Sequence, residues 1–474
     1  MAVRTEEVFT AGARTAPGPK GSPVLGSALD LKNDLLGTVH RAMLEYGDVV
    51  RFTVGPPGRF QEEAYGVFHP DHIQQVLTSK TAGYMKDDGV WTELRDLLGD
   101  GLLTSEGEEW KRQKRMIQPI FTHRRVASYV PMMAAETRTA VDRWRGFAGS
   151  GATVDLNDEM ARLTLSVVGR ALFGADVEGA VPVVRQTVPF LSERAIHRAL
   201  FPVALPDTWP TPGNRKALKY QKALYGVVDE LIAARRAKPR EGEDMLGLLL
   251  QATDPENGQG LDNEEVRDQV LIFLLAGHET TATSLTFTLH LLGQHPEIQS
   301  YLHTEVDRVL QGRTEPALQD VMGLRYTTMV IKEAMRLYPA AYGIPRFCKN
   351  GDTIGGYEIP AGKSVFCSTW ATHRHPDFWE DPERFDPERF TPEREKARPR
   401  YAYFPFGGGA RACIGQYFSM LEAAVVTALL MQSFKVTTPE GPVKLFTGIT
   451  LRPQGAVPAT IEGRQRKPPS TFIN

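Results

Sequence analysis

A mainly helical fold with a small β component is what this sequence predicts, on three observations. Helical periodicity dominates from about residue 100 to 335. Within it, one stretch opening at Asp262 and running to about Leu292 is long enough to cross a whole domain. Strand-like segments are short: Asp48 to Val54, then Glu63 to Phe68 before a turn at His69-Pro70-Asp71.

Taken in order, Ala16 to Pro23 (APGPKGSP) is stiffened by proline. Residues 1–30 are therefore expected to be an extended lead-in to a single domain spanning 1–474. The helical region is interrupted at Pro202 to Pro212 and at the polar loop Asp254 to Gly260. Asp262 can then cap the long helix, with Glu265 completing a capping box. Gly293 and Pro296 supply its stop signal. Roughly 30 residues at ~1.5 Å each give about 45 Å. The helix is apolar on most faces through Leu271 to Ala276, which predicts burial. Yet its centre reads Ala276-Gly277-His278-Glu279-Thr280-Thr281. Glycine in a helix interior costs about 1 kcal/mol relative to alanine, and threonine is a poor helix former. Such local conflict is where function is expected. The plainer reading is a tolerated bend, with Thr280 bonding back to an upstream carbonyl.

Composition excludes several classes. The chain has 474 residues, with 55 Lys plus Arg against 57 Asp plus Glu, so nothing suggests nucleic acid as a partner. Cys348, Cys367 and Cys413 form no CxxC pair, which argues against a thiolate zinc site or a disulfide framework and fits a reducing cytoplasm. The first 30 residues lack a long apolar run. Val270 to Gly277 and Ala423 to Met431 fall short of the ~20 residues that span a bilayer. A soluble, cytoplasmic protein with no membrane anchor is expected.

The most informative stretch is Phe406-Gly407-Gly408-Gly409-Ala410-Arg411-Ala412-Cys413-Ile414-Gly415. Three consecutive glycines let a backbone approach a flat ligand closely. Cys413 stands just before an apolar helical segment, Gln416 to Met431, where free N–H groups and the helix dipole stabilise a thiolate. Arg411 adds positive charge for an anionic group. This stretch resembles the haem-binding signature FxxGxRxCxG of the cytochrome P450 superfamily at every fixed position.

The resemblance implies a triangular, mainly helical domain. Its β region would come from the N-terminal part and residues around 340–370 and 435–465, with haem b between the long helix and the cysteine-loop helix. Cys413 would be the iron ligand, flanked by Phe406, Arg411 and Gly415. Lys332-Glu333-Ala334-Met335-Arg336 is similar to the family's ExxR element, and Pro387-Glu388-Arg389-Phe390 to its PERF element. A Glu333–Arg336–Arg389 network is thereby implied. Pro382-Glu383-Arg384-Phe385 repeats the same letters, but the second copy better fits the spacing. Trp110 and Lys114 resemble the pair that meets the haem propionates, although the family usually has arginine or histidine where Lys114 stands and Arg115 follows directly. Arg346, ten residues after Arg336, is implied as another propionate partner.

AGHETT resembles the acid–alcohol element, making Glu279 and Thr280 the catalytic pair that conveys protons. Because both are present, an O2-using monooxygenase is expected rather than a peroxygenase or isomerase. A non-catalytic haem sensor is a further alternative. The resemblance places Val90, Trp91, Phe273, Ala276, Gly277, Ala340, Ala341, Gly343, Ile344 and Ile449 around the substrate. Their low charge points to an apolar molecule, such as a terpenoid, steroid, fatty acid or macrocycle. With no flavin or iron–sulfur segment before Asn474, NAD(P)H electrons are expected through a ferredoxin or flavodoxin and its reductase, and the chain is expected to be a monomer. A basic cluster of Lys111, Arg112, Lys114, Arg115, Arg124 and Arg125 is the expected docking face, the alternative being a solvated helix surface.

Overall fold

The computed structural model describes residues 14–58, 61–86, 89–174, 180–200, 209–238 and 244–464, so part of the expected lead-in and most of the Pro202 to Pro212 interruption lie outside the described residues. The chain divides into two compact units. Together they bear out the predicted class, mainly α with small sheets.

The first unit comprises Met1–Thr92, Arg336–Phe385 and Phe390–Cys413. Its centre is a five-stranded sheet in the order Val49–Val54, Glu62–Val67, Lys363–Cys367, Ile344–Cys348, Tyr84–Met85. Val49 lies opposite Val67 in the antiparallel first pair, while Ala64 lies opposite Ser364 in the parallel second pair. Alternation along these strands covers both faces. Val49, Tyr65, Val67, Val365, Cys348 and Cys367 share one apolar cluster. Val50 and Phe52 join Phe68 and the helical residues Val39, Ala42 and Met43 in another. The described part of the lead-in is already paired and packed. Arg14–Thr15 pairs with Tyr357–Ile359, Ala16 is buried, and a helix already starts at Ala28. Helix formation there is allowed because the Ser27 backbone N–H is satisfied by the Thr53 carbonyl at 2.7 Å.

The second unit comprises Glu93–Met335, Asp386–Arg389 and Ile414–Asn474. The long helix spans Asn263–Gln294 with the expected capping box: Asp262 accepts from the Glu265 N–H at 2.9 Å, and Glu265 accepts from the Asp262 N–H at 2.8 Å. It ends at His295, where Pro296 opens the next helix. It packs against helices Leu156–Phe173 and Gln416–Ser433. Contrary to the residue count made from sequence, this helix is long and apolar enough to cross a membrane, with an 18-residue window of mean hydropathy 1.2. Two-thirds of that window is buried inside the protein, which marks a core helix. Its hydroxyls fit an apolar core by donating to carbonyls four residues back, as Thr286 does to Ala282 at 2.8 Å and Thr288 to Ser284 at 2.7 Å. A three-stranded sheet (Phe434–Thr437, Pro458–Gly463, Thr153–Asp155) and a hairpin (Leu445–Thr447 with Leu451–Pro453) complete the unit.

Candidate active site

In the first unit the glycine loop is held tightly. Gly407 and Gly409 have φ of 74° and 65°, a region unfavourable to other residues. A Cβ on Gly409 would sit 2.0 Å from the Leu77 carbonyl oxygen, and one on Gly408 would sit 2.3 Å from the Tyr401 ring. Both glycines are therefore required by close approach to Leu77 and Tyr401. The Cys413 N–H donates to the Phe406 carbonyl at 2.9 Å, closing the loop on itself. Gly415 then caps helix Gln416–Ser433, its carbonyl accepting from Ser419 N–H at 2.9 Å.

Cys413 is exposed, whereas Cys348 and Cys367 are buried. Burial raises the Cys348 thiol and pushes Cys367 up to about 12, so neither is a ready thiolate. Among the described residues no cluster of three His, Cys, Asp or Glu side chains could hold a metal ion. A lone accessible thiol in a glycine cradle suits a metal whose other donors come with it, as in a porphyrin. The residues present fit haem on that ground.

Arg346 is buried in strand Ile344–Cys348 and donates to the Pro345 carbonyl at 2.8 Å. Arg411 closes the short 3₁₀ turn Gly409–Arg411. Arg336 donates to the carbonyls of His373 at 2.8 Å and Pro382 at 2.7 Å and lies over the Trp379 ring. Trp91 is buried, its indole N–H directed to the Pro345 carbonyl at 3.3 Å, while Val90, Ala340, Ala341, Gly343 and Ile344 are half-buried.

In the second unit, accessibility opens in the interior of the long helix over Leu275 to Thr280, between buried turns on either side. Ala276 is exposed there. Thr280 donates its hydroxyl proton to the Ala276 carbonyl at 2.7 Å, so the plain back-bonding reading holds; it also leaves the oxygen's lone pairs available as an acceptor. Thr281 is buried and meets the Ser419 hydroxyl at 3.1 Å. Burial raises the Glu279 carboxyl above the usual range, opposed by the Arg452 guanidinium 3.8 Å away.

Two of the residues assigned to the pocket also make close packing contacts. Phe273 packs edge-on to Phe121 with centroids 5.1 Å apart, a core pairing. The Cβ direction of Gly277 meets Val168 at 3.0 Å, so this glycine serves close helix packing. The long helix also contributes Leu271, Leu274 and Leu275 to a small apolar recess, completed by Leu97, Leu98, Val188, Leu191, Ser192 and Leu224. Sequence reasoning missed this recess because its walls come from four distant segments, none with a motif. Ile449 is half-buried at the tip of the hairpin.

Lys114 extends over the Trp110 ring, 4.9 Å from its centroid. Arg115 instead pairs with Asp254 at 3.1 Å and Glu256 at 2.9 Å. Arg112 is tied to Glu109 at 2.8 Å and to Glu265, and Lys111 to Glu108 at 2.6 Å. Within the expected docking cluster, Arg112 and Arg115 are thus engaged in ion pairs of the chain itself. Of the two Pro-Glu-Arg-Phe copies, the second brings Arg389 to Glu333 at 3.3 Å, and Glu333 also accepts from the Asp386 N–H at 3.0 Å. In the first copy Glu383 pairs with Arg374 at 2.8 Å.

An accessible cysteine in a glycine-cradled loop and an acid–alcohol opening in a buried helix define the haem-thiolate class. The family model for Cytochrome P450 matches residues 16–457. Cyclooctat-9-en-7-ol 5-monooxygenase of Streptomyces melanosporofaciens is 37% identical over 97% of this chain and 96% of its own. Pentalenene oxygenase of Streptomyces avermitilis is 32% identical over 93% of this chain and 94% of its own. The crystal structure of the cytochrome P450DA heme domain superposes with TM-score 0.84 at 29% identity, covering 96% of this chain and 99% of that one. The chain belongs to the cytochrome P450 family. It is a haem-thiolate monooxygenase that uses haem b, O2 and NAD(P)H-derived electrons supplied through a redox partner, and it acts on an apolar organic substrate.

Proposed function

We propose that this enzyme hydroxylates a terpenoid, taking electrons from a separate ferredoxin or flavodoxin as a monomer in the cytoplasm, with residues 1–474 working as one domain. The observation that supports the substrate class is the apolar lining of a small recess, walled by leucines and one valine with Ser192 the sole hydroxyl among the lining residues. Such walls offer dispersion and desolvation without polar direction, which suits a compact hydrocarbon skeleton. Two of the relatives above carry names of terpene-derived substrates, and that supports the same choice.

When bound, haem b supplies the redox centre that activates O2. Cys413 would hold its iron, with Phe406 and Gly415 framing the loop. Trp110, Lys114, Arg346 and Arg411 would receive the propionates, whose burial without cations would be costly. Glu333, Arg336 and Arg389 hold the surrounding structure. Thr280, its own proton engaged by Ala276, is an acceptor for a proton-donating water. Glu279 takes protons from solvent and passes them on.

Reduced holoenzyme with carbon monoxide should give the strongly red-shifted Soret band of thiolate ligation, absent in Cys413→Ala. Addition of cyclic terpene hydrocarbons or their monohydroxylated forms should displace the iron's water ligand, seen as a low- to high-spin shift. With a surrogate redox chain, turnover should yield products carrying oxygen from ¹⁸O2. A screen in which fatty acids or macrolides shift the spin state and terpenes do not would overturn the substrate assignment.

A further inference from the structure

We propose that Arg452 is a positioning residue for proton delivery, holding the Glu279 carboxylate in place from the Leu445–Thr447/Leu451–Pro453 hairpin and coupling the relay to the seating of the hairpin tip. The inference rests on the reading of Glu279 as the relay acid. Its basis is geometric. The Arg452 guanidinium lies 3.8 Å from the Glu279 carboxylate, with the side chains 29% and 18% exposed. The same guanidinium stacks on Phe446 of the paired strand, 4.5 Å from the ring centroid. Leu451 lies opposite Thr447, and the Gly448 N–H donates to the Thr450 carbonyl at 3.1 Å, so the tip is a tight turn that moves with its strands. Arg452 is thus fixed to the hairpin by its ring contact and to the long helix by its charge.

The surroundings leave Arg452 a clear electrostatic role. Glu279 is the carboxylate of the accessible Leu275 to Thr280 stretch, and His278 precedes it on the same helix. From the packed helix Leu156–Phe173 come Thr164, which donates to the His278 carbonyl at 3.1 Å, and Val168, which meets Gly277. From helix Gln416–Ser433 comes Ser419, bonded to Thr281. The hairpin brings Thr450 and Arg452, and among the described residues Arg452 supplies the charge that acts on Glu279. Burial favours the neutral acid and raises the Glu279 carboxyl, and the guanidinium opposes that rise in part. At 3.8 Å the pair is longer than a hydrogen bond, so it can part and re-form as the proton passes. A substrate that lifts the hairpin tip would draw Arg452 away and favour proton uptake at Glu279.

Infrared pH titration of the resting holoenzyme tests this directly. The carboxylic-acid C=O band of Glu279, assigned by its loss in Glu279→Gln, should persist to higher pH in Arg452→Leu and return toward the wild-type midpoint in Arg452→Lys. The pH midpoint of product formed per NAD(P)H consumed should move upward with the band in Arg452→Leu. An unmoved band in a folded, haem-loaded Arg452→Leu overturns the proposal. Unchanged coupling in Glu279→Gln instead removes Glu279 from the relay, a different failure read from a different variant.

Discussion

Glu422→Gln replaces a fully buried acid by an amide of nearly the same shape, and its effect should depend on pH. The Glu422 side chain is 0% exposed, on the helix that follows the cysteine loop, and its carboxylate oxygens have no hydrogen-bond partner among the described residues. A carboxylate cannot be held there in its charged form without large cost, so burial pushes its pKa well above the ordinary 4.5. The folded protein keeps a proton that the unfolded chain releases once pH exceeds that ordinary value. Unfolding then releases a proton, and the stability carried by the neutral acid is complete below the unfolded pKa and lost as pH climbs toward the folded one. For one proton the slope is about 1.4 kcal/mol per pH unit in that window. Urea unfolding of wild-type and Glu422→Gln holoenzyme should give similar stabilities near about pH 4, below the window. With rising pH the variant should become progressively the more stable of the two. Contributions from every other titrating group cancel in the difference. A difference constant with pH, or a wild type that gains on the variant as pH rises, refutes the neutral buried acid.

Removing Glu333, which is 0% exposed, takes from buried Arg389 the carboxylate it pairs with, so Glu333→Ala should cost about 3–5 kcal/mol. Denaturant unfolding and the haem-to-protein absorbance ratio should both fall. Gly409→Ala combines a φ of +65° with a Cβ 2.0 Å from the Leu77 carbonyl and should destabilise by at least about 2 kcal/mol. Gly455→Ala, at φ +96° in open space, carries strain alone and should cost less in the same unfolding assay. Arg112→Glu places a third carboxylate beside Glu109 and Glu265 and should lower the unfolding midpoint. Stopped-flow reduction that slows while stability is unchanged would return Arg112 to a docking role.

What the sequence made legible were features encoded locally. The capping box at Asp262 and Glu265, the stop before Pro296, and the strands Val49–Val54 and Glu62–Val67 all rest on short-range patterns, and each appears within a residue or two of its expected place. The glycine loop was readable because φ above zero and backbone approach demand glycine itself. What was not legible has a different origin. The ion pairs of Lys111, Arg112 and Arg115 were hidden because their carboxylate partners lie on the turn before, at Glu108 and Glu109, or far along the chain, at Asp254, Glu256 and Glu265, and charge counting ignores pairing. Arg452 and the recess carried no local signature, since each is assembled by tertiary packing.

The centre of the long helix shows why a local conflict need not have one explanation. Gly277 weakens the helix by about 1 kcal/mol relative to alanine, yet a side chain there would press on Val168, so the glycine permits helices Asn263–Gln294 and Leu156–Phe173 to approach. Thr280 satisfies its own donor on Ala276, which is the ordinary accommodation of a threonine inside a helix. That same bond fixes the rotamer and turns the hydroxyl into an acceptor, the state a proton-conveying group needs when a water approaches. Glu279 is harder to accommodate by packing, because a carboxyl at a half-buried helical position gains nothing from the core, and a guanidinium from another element only opposes the upward shift that burial imposes. Of the three departures from a good helix, one is explained by packing, one by packing and chemistry together, and only Glu279 requires function. The strongest sequence evidence for catalysis in this helix is therefore the carboxylate, with the threonine made effective by its back-bond.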